Sequence, residues 1–202
     1  MRDFPLFPLN TVLFPGGLLP LRVFEARYMD MARKCLREHS TFGVCLIREG
    51  REVGVPAVPE TVGCEARILD CDMQQMGVLQ LVTQGVERFK VLSTTSNSQG
   101  LLLAETEPVP PEAAAAVPEQ FSACPKLLAH LMEQHGKGIF AEPHRLDDAT
   151  WVSHRLAEVL PFPNTDRQKL LEMDDSLARL SLLNRIVAAS DLSRFSRGNK
   201  NN

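Results

Sequence analysis

A Gly136-Lys137-Gly138 triplet, an adjacent Ser153-His154 pair, five cysteines and five histidines are the residues of this chain whose types could carry chemistry. A phosphate-binding loop of the GxxxxGK[ST] kind works because successive amides and the lysine enclose the phosphates. Gly136-Lys137-Gly138 lacks the hydroxyl residue and the upstream glycine, and reads as a glycine-rich turn. Ser153 and His154 are neighbours on a predicted helix, where consecutive side chains diverge by about 100°, so they do not form a nucleophile–base pair. No GxSxG turn is present to raise a serine above a sheet. His154 reads instead as a helix-surface or core-edge histidine. Cys35 and His39 have the i,i+4 spacing of two metal ligands on one helix, but no second Cys/His pair stands at finger-like spacing. His130, His135 and His144 are dispersed, and Cys71 between Asp70 and Asp72 offers ligands on alternate faces of a strand. Asp147-Asp148 and Asp174-Asp175 fall where helices begin, so capping explains them better than acid–base catalysis. No catalytic, cofactor-binding or metal-binding residue emerges, and neither a cofactor nor an enzymatic activity is expected.

Residues that could contact a partner are a separate matter. The candidates are Arg22, Phe24, Glu25, Tyr28 and Arg88. The first four stand in a dense apolar stretch running from Pro5-Leu6-Phe7-Pro8-Leu9 through Phe14-Pro15-Gly16-Gly17 to Pro20-Leu21-Arg22-Val23-Phe24. Charges beside a core have a specific partner, because desolvating an unpaired charge is expensive. That partner is either a ligand or another side chain. An internal salt bridge among Arg22, Glu25 and Arg88 accounts for the charges equally well, and core and turn formation accounts for Phe24, Tyr28, Pro8, Pro15 and Pro20.

Composition narrows the partner. With 22 Lys and Arg against 25 Asp and Glu, the formal charge is −3, and no global basic field exists to hold nucleic acid or an anionic membrane. Arg22, Arg27, Arg33, Lys34 and Arg37 make one basic flank, but no exposed aromatics interleave with them, so a solvated helix face is expected. No segment approaches the roughly 20 apolar residues that span a bilayer, and Asp3 and Pro5 stand where an export signal needs basic and then continuous apolar residues. The odd, scattered cysteines point to reduced thiols. A cytoplasmic location, with neither nucleic acid nor membrane as partner, is the expectation.

These residues must be positioned by the elements around them. Four prolines and a Gly-Gly pair forbid a long helix before Phe24 and leave short, bent extended pieces. From Phe24 to His39 the residues Phe24, Tyr28, Met31, Ala32, Cys35 and Leu36 recur at helical spacing and predict one buried face. Phe42 to Ile47 reads as a buried strand and 48–59 as a surface loop. From Gly63 to Glu107 the period is two, giving strands around Cys64–Ile68, Leu79–Thr83, Val86–Val91 and Leu101–Thr106, with Gly85 as a bulge. The prolines of Glu107-Pro108-Val109-Pro110-Pro111 end this half. Helices are then expected over 120–134, after an Asp148 N-cap, after a Thr165/Gln168 capping box, and from about Asp175 to Phe195. Asp175 and Arg179 are spaced for an exposed i,i+4 pair. The fold class is therefore α+β. A β-rich amino-terminal half (1–110), a curled antiparallel sheet or partly open barrel with one helix, precedes an α-helical half (111–196), and 197–202 form a disordered tail.

The order of these features carries a resemblance. The proline-punctuated strand, the Phe14-Pro15-Gly16 turn, the Pro20-Leu21…Phe24-Glu25…Tyr28 helix entry and the Gly85-Val86…Arg88-Phe89 strand resemble the amino-terminal domain of Lon proteases. In the carboxyl half, Glu158-Val159-Leu160-Pro161, then Lys169-Leu170-Leu171-Glu172 and Arg179-Leu180, are similar to that family's helical segment. The resemblance spans about 4 to 190 and implies a bacterial, stand-alone copy of the substrate-binding domain without ATPase or peptidase parts. It implies capture of unfolded or partner polypeptides, in an apolar groove or on a sheet edge near the first helix. An adaptor for one folded partner, as in cereblon, is the alternative within the family. A cryptic hydrolase or peptidase-associated activity is the alternative outside it.

Overall fold

The structure, a computed structural model, describes residues 1–52, 57–75 and 77–189, and the expected tail at 197–202 lies outside them. The chain forms two compact units. The first is Met1–Pro111 with Phe162–Glu172, and the second is Glu112–Pro161 with the chain from Met173 onward.

The first unit is a sheet of seven strands, β1 (Phe4–Leu9), β2 (Leu18–Val23), β3 (Phe42–Glu49), β4 (Val58–Pro59), β5 (Val62–Gln75), β6 (Val78–Ser96) and β7 (Leu102–Pro108), with helix α1 (Ala26–Glu38) between β2 and β3. Strand order β1-β7-β6-β5-β3 is antiparallel throughout, and a parallel β1–β3 pairing returns the sheet onto its first strand. The expected curled, mainly antiparallel sheet is what forms, with β2 attached to β6 and β4 to β3 as side strands. Curling requires bends. A register shift between Cys64/Ala66 and Arg88/Gly85 puts a bulge at the predicted glycine. A side chain at Gly85 would also meet the Phe14 carbonyl oxygen at 2.1 Å, so only glycine admits that close approach.

Two boundaries differ from the sequence reading. Strand β6 runs unbroken through Gly85 to Ser96, leaving only 97–101 for the turn into β7. Helix α1 begins at Ala26, after an extended Glu25, so Phe24 lies before the helix and is 57% exposed instead of joining its buried face. The register of a helical stripe cannot assign a residue that precedes the first helical turn. Leu36, also expected on the stripe, is largely exposed. Tyr28, Met31, Ala32 and Cys35 do meet the core, packing with Phe7, Phe42, Val44 and Leu81.

Helix α4 (Asn164–Glu172) completes this unit. Thr165 falls inside the helix, and Gln168 is not a capping residue. Its amide instead donates to the Val62 carbonyl at 3.0 Å and to Glu172 at 2.8 Å.

The second unit packs α2 (Ala123–His135), α3 (Ala149–Val159) and α5 (Ser176–Ala189) around Leu128, Val152, Leu156, Leu180 and Leu183. Asp148 caps α3 as expected, accepting from the Thr150 and Trp151 amides at 2.8 and 3.2 Å. Asp175 caps α5, accepting from the Leu177 and Ala178 amides. No helix among the described residues is long and apolar enough to cross a membrane.

Candidate binding cleft

Strand β2 is positioned by the segments on either side of it. The Phe14–Gly17 turn, closed by the Gly17 amide on the Phe14 carbonyl at 2.9 Å, delivers it to β6, and Glu25 ends it by turning into α1. Gly85 donates to the Gly17 carbonyl at 2.9 Å. Antiparallel pairs alternate between hydrogen-bonded and open. Counting from Gly17, the register pairs Leu19, Leu21 and Val23 through hydrogen bonds with β6 and turns the main-chain groups of Leu18, Pro20 and Arg22 outward. Among the described residues β2 pairs with no other strand, so this outer side is a free edge. Pro20 is placed where it costs the ladder nothing and removes one outward donor, the usual way of blunting an edge.

Beside β2 lies a cleft of about 240 Å³, lined by Leu19 to Glu25, by Phe7, Leu9 and Tyr28, and by Thr11 and Glu52. Its apolar lining belongs to the core: the Phe7 and Tyr28 rings stack with centroids 4.0 Å apart. Burial pushes the Tyr28 hydroxyl up, against the nearby Arg27 charge. Arg27, which sequence reasoning placed on a solvated face, is buried. Its guanidinium lies 4.7 Å from the Tyr28 ring centroid, pairs with Glu25 at 2.8 Å and donates to the Gly100 carbonyl at 2.8 Å.

Four of the five candidate residues therefore meet at one cleft. Arg22 is exposed on the edge strand, Phe24 projects beside it, Glu25 is held by Arg27, and Tyr28 lies in the lining. Arg88 does not join them. It is buried and donates to the Leu171 carbonyl at 2.8 Å, satisfying the end of α4. The internal ion pair is Glu25 with Arg27, a partner that sequence spacing gave no reason to prefer. A larger cavity of about 800 Å³ lies between α1 and the β6–β7 turn. Among the described residues that line it, Arg27 is the only charged one buried from solvent, and Asp30 and Glu38 on its rim are engaged by Arg33 and Arg37.

The second unit holds a different cluster. Glu112 receives the Arg179 guanidinium at 2.7 and 3.0 Å, while Arg179 also donates to Ser153 Oγ at 3.0 Å and to the Met173 carbonyl at 2.8 Å. His154 Nε2 lies 3.6 Å from Glu112. All four side chains are buried, which bears on two sequence expectations. Arg179 is not half of an exposed pair with Asp175, and of the two readings of His154, helix surface or core edge, burial excludes the first. The i,i+4 rule describes an isolated helix, whereas here α5 is enclosed and its arginine finds a carboxylate 67 residues earlier. Burial holds His154 down at about 4, assisted by Arg179 and Arg155 and opposed by Glu112. Burial raises Glu112, but the nearby His154 imidazole, the Arg179 hydrogen bonds and the Arg179 charge outweigh it and bring the carboxyl to about 2. Ser153 donates to the Thr150 carbonyl at 3.1 Å and accepts from Arg179, so it faces no open site. Burial also pushes up the thiols of Cys35, Cys45, Cys71 and Cys124, away from the thiolate that a nucleophile requires.

An unpaired sheet edge beside an apolar cleft has the geometry on which an added strand could pair. Similarity to known proteins places the chain within a family. The model of the ATP-dependent protease La (LON) substrate-binding domain matches residues 3–189, and the chain belongs to that family. A crystal structure of a Lon N-terminal domain protein from Xanthomonas campestris is similar at a TM-score of 0.75 and 36% identity, covering 93% of this chain and 98% of that one. The N-terminal domain of the Mycobacterium avium complex Lon protease shares the fold at a TM-score of 0.66 and 20% identity, covering 93% and 99%. Lon protease 2 of Myxococcus xanthus is 28% identical over 187 residues, 89% of this chain, and the chain spans 22% of that relative's length.

Proposed function

We propose that this protein is a polypeptide-binding module that holds an extended segment in the β2 cleft and acts by binding, without catalysis. The observation that carries the reading is the free β2 edge beside the lining of Phe7, Leu9 and Tyr28. An added strand gains main-chain hydrogen bonds at the edge and places alternate side chains over the apolar lining. The family's name as a substrate-binding domain supports the same direction. Arg22, Phe24, Glu25 and Tyr28 are the proposed contact residues, and Arg88 is assigned to structure. The engaged Ser153 and the raised thiols give catalysis no support.

Fluorescence anisotropy with a labelled, permanently unfolded polypeptide such as reduced and carboxymethylated lactalbumin tests this reading. Phe24→Ser, at an exposed position, is expected to weaken binding about tenfold, the scale of an aromatic contact, while leaving the fold intact. Binding unaffected by Phe24→Ser and by Tyr28→Leu would contradict it.

A further inference from the structure

We propose, resting on the cleft reading above, that the cleft prefers extended segments carrying an acidic side chain opposite Arg22 with large apolar residues on the alternate face. Among the described residues, three charged side chains line the cleft: Arg22, Glu25 and Glu52. Glu25 is neutralised at 2.8 Å by the buried Arg27, and Glu52 accepts the Asn10 main-chain amide at 2.5 Å. Among the described residues Arg22 has neither an ion pair nor a side-chain hydrogen bond. Among the described residues lining the cleft, its guanidinium is therefore the one cation left to pair with a ligand.

The register sharpens this. Of the three residues whose main-chain groups face outward, Pro20 offers a carbonyl without an amide, whereas Leu18 and Arg22 offer both. A strand laid against β2 makes a full pair of hydrogen bonds at Arg22, and the ligand residue opposite points its side chain to the same face as the guanidinium. An Asp or Glu there forms a cross-strand pair with Arg22. Its two neighbours in the ligand point to the other face, where Leu21 and Val23 are buried and Tyr28 and Phe7 form the lining. Charge and apolar preference are thus set on opposite faces by the period of a strand.

The test uses two labelled synthetic peptides of identical apolar pattern, one with Glu and one with Lys at the central outward position. They are titrated into the full chain and into Arg22→Glu, with Arg22→Lys as a charge-preserving control. The chain is expected to bind the Glu peptide about two- to fivefold more tightly than the Lys peptide, the scale of one cross-strand charge pair. Arg22→Glu reverses the order, Arg22→Lys keeps it, and added salt shrinks it. Equal binding of both peptides, or an order that Arg22→Glu leaves unchanged, overturns this inference and leaves the polypeptide reading standing. Failure of both peptides and of unfolded lactalbumin to bind overturns the two together.

Discussion

Each unit buries an arginine against a glutamate, and the two pairs are built for different ends. In the second unit Arg179 and Glu112 are closed in, with side chains 0% and 3% exposed, and Arg179 also bonds Ser153 and the Met173 carbonyl of the same unit. In the first, Arg27 is nearly as hidden, but its partner Glu25 is 23% exposed and lines a cleft beside a sheet edge. A buried ion pair gains little over apolar residues of the same shape, yet removing one member strands the other without water. The closed pair therefore acts as a fastener among Glu112, α3 and α5. The half-open pair fixes a charge and an aromatic ring at the border of a surface that something else can touch.

The largest consequence of that contrast is in the second unit. Arg179→Ala is expected to cost about 3–5 kcal/mol, read by urea unfolding followed through Trp151, the only tryptophan, with the loss reduced when Glu112→Leu is added. Acid acts on the same cluster. His154 drops from its ordinary 6.5 to about 4 on folding, so the unfolded chain takes up a proton that the folded chain refuses, and stability falls as pH falls from 6.5 to 4. That loss is on the order of 3 kcal/mol. Glu112 extends it from its ordinary 4.5 down to about 2, where its ionised form is no longer held. Unfolding midpoints measured from neutral pH down to about 4.5 check this, and His154→Gln flattens the upper part of the profile.

Arg27→Ala sharpens the comparison from the other side. It is expected to cost about 2 kcal/mol, the scale of charge-assisted hydrogen bonds, and to alter Tyr28 emission, because this single tyrosine loses its guanidinium neighbour. Asp148→Ala, which removes the α3 cap, costs about 1 kcal/mol by the same unfolding measurement. Asp30→Ala, breaking an exposed pair with Arg33, changes stability by less than about 0.5 kcal/mol.

The sequence disclosed the elements better than the contacts. Period-two patterning locates β5, β6 and β7, and helical spacing locates α1, because burial imposes those periods wherever an element has one wet face. Asp148 and Asp175 are legible as caps because capping is a local interaction. Phe24 departs from expectation because the helix starts two residues later, and that start has no side-chain cap to announce it. The Arg179–Glu112–His154 cluster is invisible in the sequence for a different reason. It joins residues 25 to 67 positions apart, and nothing in the local sequence around Arg179 distinguishes a buried arginine from an exposed one. The cleft falls between these cases. Four of its residues stand within seven positions of one another and are conspicuous together, but the free edge on which their proposed role depends is set by which strands β6 accepts as neighbours.

The central claim is that polypeptide docks along the outer edge of β2, and amide hydrogen exchange by NMR tests it most directly. In the free protein the amides of Leu19, Leu21 and Val23, which face β6, are expected to be protected, and those of Leu18 and Arg22 to exchange fast. Saturation with unfolded polypeptide is expected to slow Leu18 and Arg22 by about tenfold or more and to leave the other three unchanged, since only a strand at the edge supplies the missing acceptors. Saturated binding with Leu18 and Arg22 still exchanging at their free rates would contradict the account.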